Sequence, residues 1–204
     1  MVPEQQAKTV RRASIGARRN PATEEAIITA ARDLLAERGY AGFSFDEVAR
    51  RAGAGKPTLY RWWPTRADLL MEVYSAEKAA TMTAPDTGTL SGDLLVYTRA
   101  LWSFWRETPT GRAFRGLIAE AQAGEAAQAL LREKFLPERL KDVRAMFARA
   151  GMRGEIDAET VDDLIALYVG FNWFRLTTGC IADDAPAITR MALLLTKAGA
   201  PAGA

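Results

Sequence analysis

The chain has 204 residues, room for one large domain or two small ones around a sizeable core, and its 49% apolar and 25% charged residues are those of an ordinary globular protein rather than a disordered or membrane-embedded one. With no His and a single Cys it cannot build an imidazole base, a Ser-His-Asp triad, a Cys-His pair, an internal disulfide, or a thiolate or imidazole zinc site, so no metal centre or familiar hydrolytic chemistry is expected. The net charge of +2 is unevenly spread: residues 1–66 hold 12 basic and 7 acidic residues, a net +5, and the remainder a net −3, a pattern that suits a chain meeting nucleic acid at one end.

In chain order, residues 1–20 are polar and basic without helical apolar spacing, which predicts a flexible arm lacking the apolar segment of a secretory signal. From Asn20-Pro21 the apolar residues Ile27, Ile28, Ala31, Leu34 and Leu35 recur at steps of three and four, the stripe of a helix that Gly39 ends. In GFSFDEVAR, Ser44 is an N-cap, Glu47 can complete a capping box and Phe43 can staple onto Val48, so a short helix starts here and runs to about Ala52. Gly53 supplies a left-handed turn residue, and a second short helix follows with Pro57 in its first turn. Pro64 stops it, and Thr65 with Asp68 opens a longer helix through Ala67, Leu69, Leu70, Val73 and Tyr74.

After a loop over residues 81–92, helices are expected at about 90–107, 111–122, 125–150 with a kink or break at Pro137, 158–178 and 185–198. No alternating strand pattern or fixed-period repeat occurs, so the fold class is all-α. The longest apolar passage, Leu164 to Phe174, is interrupted by Gly170 and Asn172 and falls short of the roughly 20 residues of a spanning helix, so it is core or interface and no membrane partner is expected. Cys180 sits in an apolar stretch and is expected to be a small core hydrophobe, and a lone cysteine suits a reducing cytoplasm.

Two short helices around a glycine turn, bracketed by longer ones, have the organisation of a DNA-binding helix-turn-helix. Val48, Ala49, Ala52, Ala54 and Leu59 are apolar or small where the pair must pack, while Lys56, Pro57, Thr58, Tyr60, Arg61 and Trp62 project outward, a set that suits a major groove better than bulk water. The stretch FSFDEVARRAGAGKPTLYRWWPTRADLL resembles the N-terminal DNA-binding domain of the tetracycline-repressor (TetR) family of bacterial transcription regulators, over about residues 22–75. The resemblance implies three parts: a basic arm (1–20), a three-helix DNA-binding domain (21–66), and a helical ligand-binding and dimerisation bundle (67–204).

By that resemblance, Lys56, Pro57 and Thr58 approach base edges, with Arg61 on the same helix. Tyr60 touches a phosphate or a thymine methyl, and Trp62 and Arg66 contact phosphates. Ser44 holds the start of the first short helix, whose dipole can face a phosphate. Two positions depart from the family pattern. Gly55 stands where a serine or threonine is common, weakening the second helix's cap, and Trp62 replaces a tyrosine or histidine, keeping a donor but no acceptor. Read from the residues alone, Trp63 is core and Tyr60 is either packed or a phosphate contact. Arg50 and Arg51 are solvated or touch the DNA backbone, and the arm's arginines serve solubility or lie in a minor groove.

The larger half is rich in aromatics, which are core or line a cavity between helices. Trp102, Trp105, Phe114, Met146, Phe147 and Tyr168 are the candidate lining residues, and few buried charges are expected, which favours a hydrophobic or planar inducer. Val161, Ile165, Tyr168, Asn172 and Leu176 on the penultimate helix, with Ile188, Met191, Leu194 and Leu195 on the last, are expected to form a two-fold dimer contact. These expectations describe a cytoplasmic, nucleoid-associated homodimeric repressor with no cofactor, bound to an inverted-repeat operator and released by a small molecule. A regulator of the same shell controlled by a protein partner, or needing no effector, is the alternative. A helical-bundle enzyme using Glu120, Asp162 and Asp163 is disfavoured by the missing His.

Overall fold

The computed structural model describes residues 19–182 and 184–201, so the predicted arm lies almost wholly outside the described residues. Among the described residues there are eleven α-helices and no strand. Four helices form the N-terminal part: α1 (Pro21–Arg38), α2 (Phe45–Ala52), α3 (Lys56–Trp62) and α4 (Arg66–Thr81). Asn20 caps α1, its side chain accepting from Ala22 N, and Arg19, counted with the arm by sequence, is anchored by Glu24 and Glu72. Thr65 and Asp68 cap α4 reciprocally, as their spacing predicts. Gly53 is left-handed (φ 61°, ψ 25°), and its neighbour Ala54 donates to Ala49 O, turning the chain sharply from α2 to α3.

One hydrophobic core gathers Ile27, Leu34, Val48, Leu59 and Trp63 with Leu69, Leu70 and Val73 of α4. Trp63 is buried in it, as expected, and taking a side chain of that size out of water contributes about 3 kcal/mol. The opposite face of α4 gives Ala67, Met71 and Tyr74 to a second core. The sequence boundary at residue 66 therefore falls at the start of a helix that both cores share.

The second core is built by α5 (Leu90–Glu107), α6 (Pro109–Ala121), α9 (Lys141–Met152), α10 (Val161–Thr177) and α11 (Ala185–Gly199), with a less regular wall between α6 and α9. That wall is α7 (Glu125–Leu130), a π-helical turn (Leu131–Phe135) and α8 (Leu136–Arg139). The π turn ends two residues before Pro137, whose missing N–H and ring cannot fit the regular ladder, and Leu136 N reaches back five residues to Leu131 O. The kink predicted at Pro137 is thus a widened turn followed by a break at Leu140.

Two expectations are corrected. The stripe of α10 assigned to a dimer contact turns inward: Ile165, Tyr168, Asn172 and Leu176 are buried in the chain's own core, and Val161 packs against it, as do Ile188, Met191 and Leu195 of α11. On these two helices the exposed large apolar residues are Leu167 and Phe174 of α10 and Leu193 and Leu194 of α11, Phe174 at 66% and Leu194 at 67% exposure. Cys180 is exposed in the α10–α11 loop rather than in the core.

Helix α6 folds back tightly on α5. A Cβ on Gly111 would stand 2.1 Å from Phe104 O, against backbone that cannot swing aside. Gly111→Ala is expected to lower stability by about 2 kcal/mol through overpacking, although alanine is the better helix former, whereas Gly151→Ala, in open space on α9, gains up to about 1 kcal/mol. Denaturant unfolding of the two variants checks this, and equal midpoints would contradict the close approach.

Candidate nucleic-acid interface and ligand cavity

Ser44 Oγ accepts from Glu47 N, but the predicted capping box is only half formed. The Glu47 carboxylate instead takes both Arg50 and Arg51, because charge-assisted bonds to guanidinium outcompete one to an amide. These bonds hold Glu47 at about 2, well below the ordinary carboxylate range. Arg51 also clasps Glu37 of α1 at 2.6 and 2.7 Å, so of the two arginines expected to be solvated Arg50 is exposed, while Arg51 is part-buried and ties α2 to α1.

On α3, Leu59 points into the core while Lys56, Pro57, Tyr60 and Arg61 stand exposed and Thr58 and Trp62 are half-buried. Gly55 provides no side-chain cap, as its departure from the family pattern implied. The Tyr60 ring packs edge-on against Phe45 at 5.1 Å yet remains 52% exposed, so packing and outward presentation coexist. Lys56 Nζ lies 2.8 Å from Asp46 Oδ2 in an exposed pair, a weak contact that a phosphate can replace. Trp62 is braced by Arg19, whose guanidinium lies 4.8 Å from the Trp63 ring and 5.9 Å from that of Trp62, and donates to Trp62 O.

Arg66 is placed differently from the others. It pairs with Glu120 at the end of α6 and lies 4.6 Å over the Tyr40 ring, while Tyr40 OH donates to the same carboxylate. Burial alone would raise Glu120, but the bonds from Tyr40 and Arg66 outweigh it and hold the carboxyl below its usual range. Gly116 lies beneath this cluster: a Cβ there would come within 2.6 Å of the Tyr40 ring. Sequence reasoning missed Tyr40, Gly116 and Glu120 as a unit, since they are brought together only by the packing of α1 on α6.

A cavity of about 50 Å³ lies between α4, α5, α6, the irregular wall and α10. Trp105, Phe114 and Tyr168 line it, as expected. Trp102, Met146 and Phe147 do not: they are core residues, with Trp102 Nε1 donating to Asn172 Oδ1 at 2.7 Å and Phe147 packed edge-on to Tyr168. The cavity also holds charges that the composition did not foretell. Lys78, 6% exposed, donates to Tyr97 OH at 2.6 Å and sits 3.5 Å from Asp142 Oδ2. Burial and neighbouring Arg139 push its ammonium down to about 8 despite Asp142. Lys78 falls four residues after Tyr74 and seven after Met71, on α4's buried stripe, which was the readable signal.

Several known proteins are similar to this chain. Residues 27–73 match the family described as bacterial regulatory proteins of the tetR family, and residues 84–194 match the tetracyclin repressor-like C-terminal domain. The HTH-type transcriptional regulator AqdR of Rhodococcus erythropolis is 31% identical over 147 residues, covering 72% of this chain and 70% of AqdR. The crystal structure of the TetR family transcription regulator SCO0332 superposes with a TM-score of 0.75 at 28% identity, covering 88% of this chain and 99% of that one. The fold is shared with RolR in complex with resorcinol, at a TM-score of 0.62 and 23% identity, covering 89% and 96%.

Two measurements follow from this geometry. Lys56→Ala and Tyr60→Ala are each expected to weaken operator binding at least about tenfold in a mobility-shift assay, with circular dichroism unchanged. Normal binding by both would remove α3 as the reading helix. For Lys78, the unfolded chain keeps a proton up to about 10.5 that the folded chain releases near 8, so this residue makes stability rise with pH between those values. Lys78→Met abolishes that rise, read as the difference between wild-type and variant unfolding free energies at pH 7 to 10. Parallel profiles would mean that the ammonium is not desolvated.

Proposed function

The chain belongs to the TetR family of bacterial transcription regulators, and from that premise we propose a repressor that grips an inverted-repeat operator as a homodimer and lets go when a small molecule fills the cavity. That it is a DNA-binding regulator follows from the family and from relatives that are HTH-type transcriptional regulators. The finer reading rests on one observation, the position of α6. Phe114 lines the cavity, its neighbour Ala113 belongs to the N-terminal core, and Gly116 and Glu120 seat Tyr40 and Arg66. A ligand that displaces Phe114 must shift the element on which the DNA-reading helices rest. The two-state equilibrium is then biased by the ligand's differential affinity.

In this reading Lys56, Pro57, Thr58, Tyr60 and Arg61 meet the major groove, Ser44 and Trp62 meet the backbone, and Arg66 trades Glu120 for a phosphate only if the cluster opens. Dimerisation uses the last two helices through Leu167, Phe174, Leu193 and Leu194, whose exposure is costly in a monomer and is relieved by a two-fold four-helix contact. No described helix is long and apolar enough to cross a membrane. The occurrence of resorcinol in RolR, which has the same fold, supports a ring-sized effector.

The test is selection of random duplex DNA by the full chain, followed by sequencing. Enrichment of an inverted repeat with half-sites one helical turn or a multiple apart is the expected outcome. Enrichment of a lone half-site would overturn the dimeric reading, and no enrichment by the folded protein at moderate salt would overturn effector-free operator binding.

A further inference from the structure

The cavity is apolar over most of its wall, with Trp105, Phe114, Phe135 and Trp173 around it, yet two cations face it. Lys78 is answered by Tyr97 and Asp142. Arg139 is not answered: its Nε and Nη1 are buried without a hydrogen-bond partner, and its guanidinium lies 5.5 Å from the Tyr74 ring and 5.7 Å from that of Phe135. Buried guanidinium N–H groups left unpaired cost several times what a paired one costs, so a fold keeps them where something else completes them. Asp142 bonds into this cluster through Lys78 and Tyr97, and the other carboxylate close to Arg139, Glu138, is exposed and paired with Lys141.

Taking the cavity as the effector site, an assumption shared with the function proposed above, we propose that the effector is a small aromatic carboxylate. Its carboxylate meets the Arg139 guanidinium at one of its unpaired nitrogens, Nε or Nη1, which lie on different edges of the group, with Lys78 supplying the second positive charge. Its ring lies among Phe114, Phe135 and Trp105. A neutral planar compound would fill the apolar part and leave Arg139 unpaired, which is why a charged effector is favoured over the uncharged one suggested by composition. Burial already pulls the Arg139 guanidinium below its ordinary value, and a bound anion reverses that pull.

At about 50 Å³ the cavity is smaller than a ring needs, so binding widens it. The wall that gives way is the segment carrying Arg139: its helix is interrupted by the π turn before Pro137 and by the break at Leu140, the least regular hydrogen bonding around the cavity.

The experiment compares matched acid and amide pairs: benzoate with benzamide, salicylate with salicylamide, phenylacetate with phenylacetamide. Binding to the full chain is followed by quenching of tryptophan fluorescence, since Trp105 and Trp173 line the cavity, and by thermal shift. The expected result is that at least one acid binds at least about tenfold more tightly than its amide. Arg139→Gln should abolish that difference and Arg139→Lys restore part of it. Equal binding of acid and amide by the wild type, which needs no variant to fold, overturns the proposal while leaving the cavity as effector site. Acid binding undiminished in Arg139→Gln does the same. Failure of every acid and amide overturns the proposal and removes the cavity's support as an effector site. An acid that binds through Arg139 without releasing operator DNA supports the carboxylate site and counts against release by this route.

Discussion

Ala113 and Phe114 are consecutive residues of α6, yet one is buried in the core beneath the DNA-reading helices and the other in the core around the cavity. Successive side chains on a helix point about 100° apart, so a single rigid element can be shared by two cores without a hinge between them. Close packing makes the sharing strict. Gly111 leaves no room for even a methyl group against α5, and Gly116 leaves none beneath the Tyr40 ring. Tyr40 rests directly on α6 at Gly116, and the part-exposed Arg66–Glu120 pair ties the same helix to the start of α4.

The polar groups divide according to what surrounds them. Around α2 the charges pair with one another: Glu47 holds Arg50 and Arg51, and Arg51 reaches Glu37, which stiffens the platform and leaves the outward face of α3 to Lys56, Tyr60 and Arg61. The exposed Lys56–Asp46 pair beside them adds little stability and can be exchanged for a phosphate at little cost. In the second core three buried polar pairs form as well. Thr98 meets Tyr168, Trp102 meets Asn172 and Trp105 meets Tyr74. Other buried polar atoms, Thr110 Oγ1 and Arg149 Nε among them, also lack a partner, but those of Arg139 belong to a residue that lines the cavity, where a ligand can complete them.

The N-terminal helices were legible because their signals are local. Ser44, Gly53, Pro57, Pro64 and the Thr65–Asp68 pair act within a few residues of themselves, and each was found where its chemistry placed it. The capping role of Glu47 failed for a non-local reason: both arginines on its own helix were better partners than the backbone it was expected to meet. The dimer stripe failed because α10, VDDLIALYVGFNWFRLT, is apolar around most of its circumference, so periodicity did not say which side faces the chain's own core. Trp102, Met146 and Phe147 failed as lining residues for a related reason, since core and cavity draw on the same residue types and differ only in whether a neighbour fills the space.

What the sequence by itself determined is the all-α class, the helix-turn-helix with its outward Lys56, Tyr60 and Arg61, the family, and the exclusion of an imidazole base, a Cys-His pair and an internal disulfide. These depend on residue types, on periods of three to four and on caps that a chain carries along its length. Tertiary structure alone decided that Arg66 faces Glu120, that Leu167 and Phe174 rather than Ile165 and Asn172 remain uncovered, and that Lys78 and Arg139 share one cavity. Those facts join residues tens of positions apart. Whether a side chain is paired, covered or left open depends on what another helix brings to it, and no local pattern carries that information.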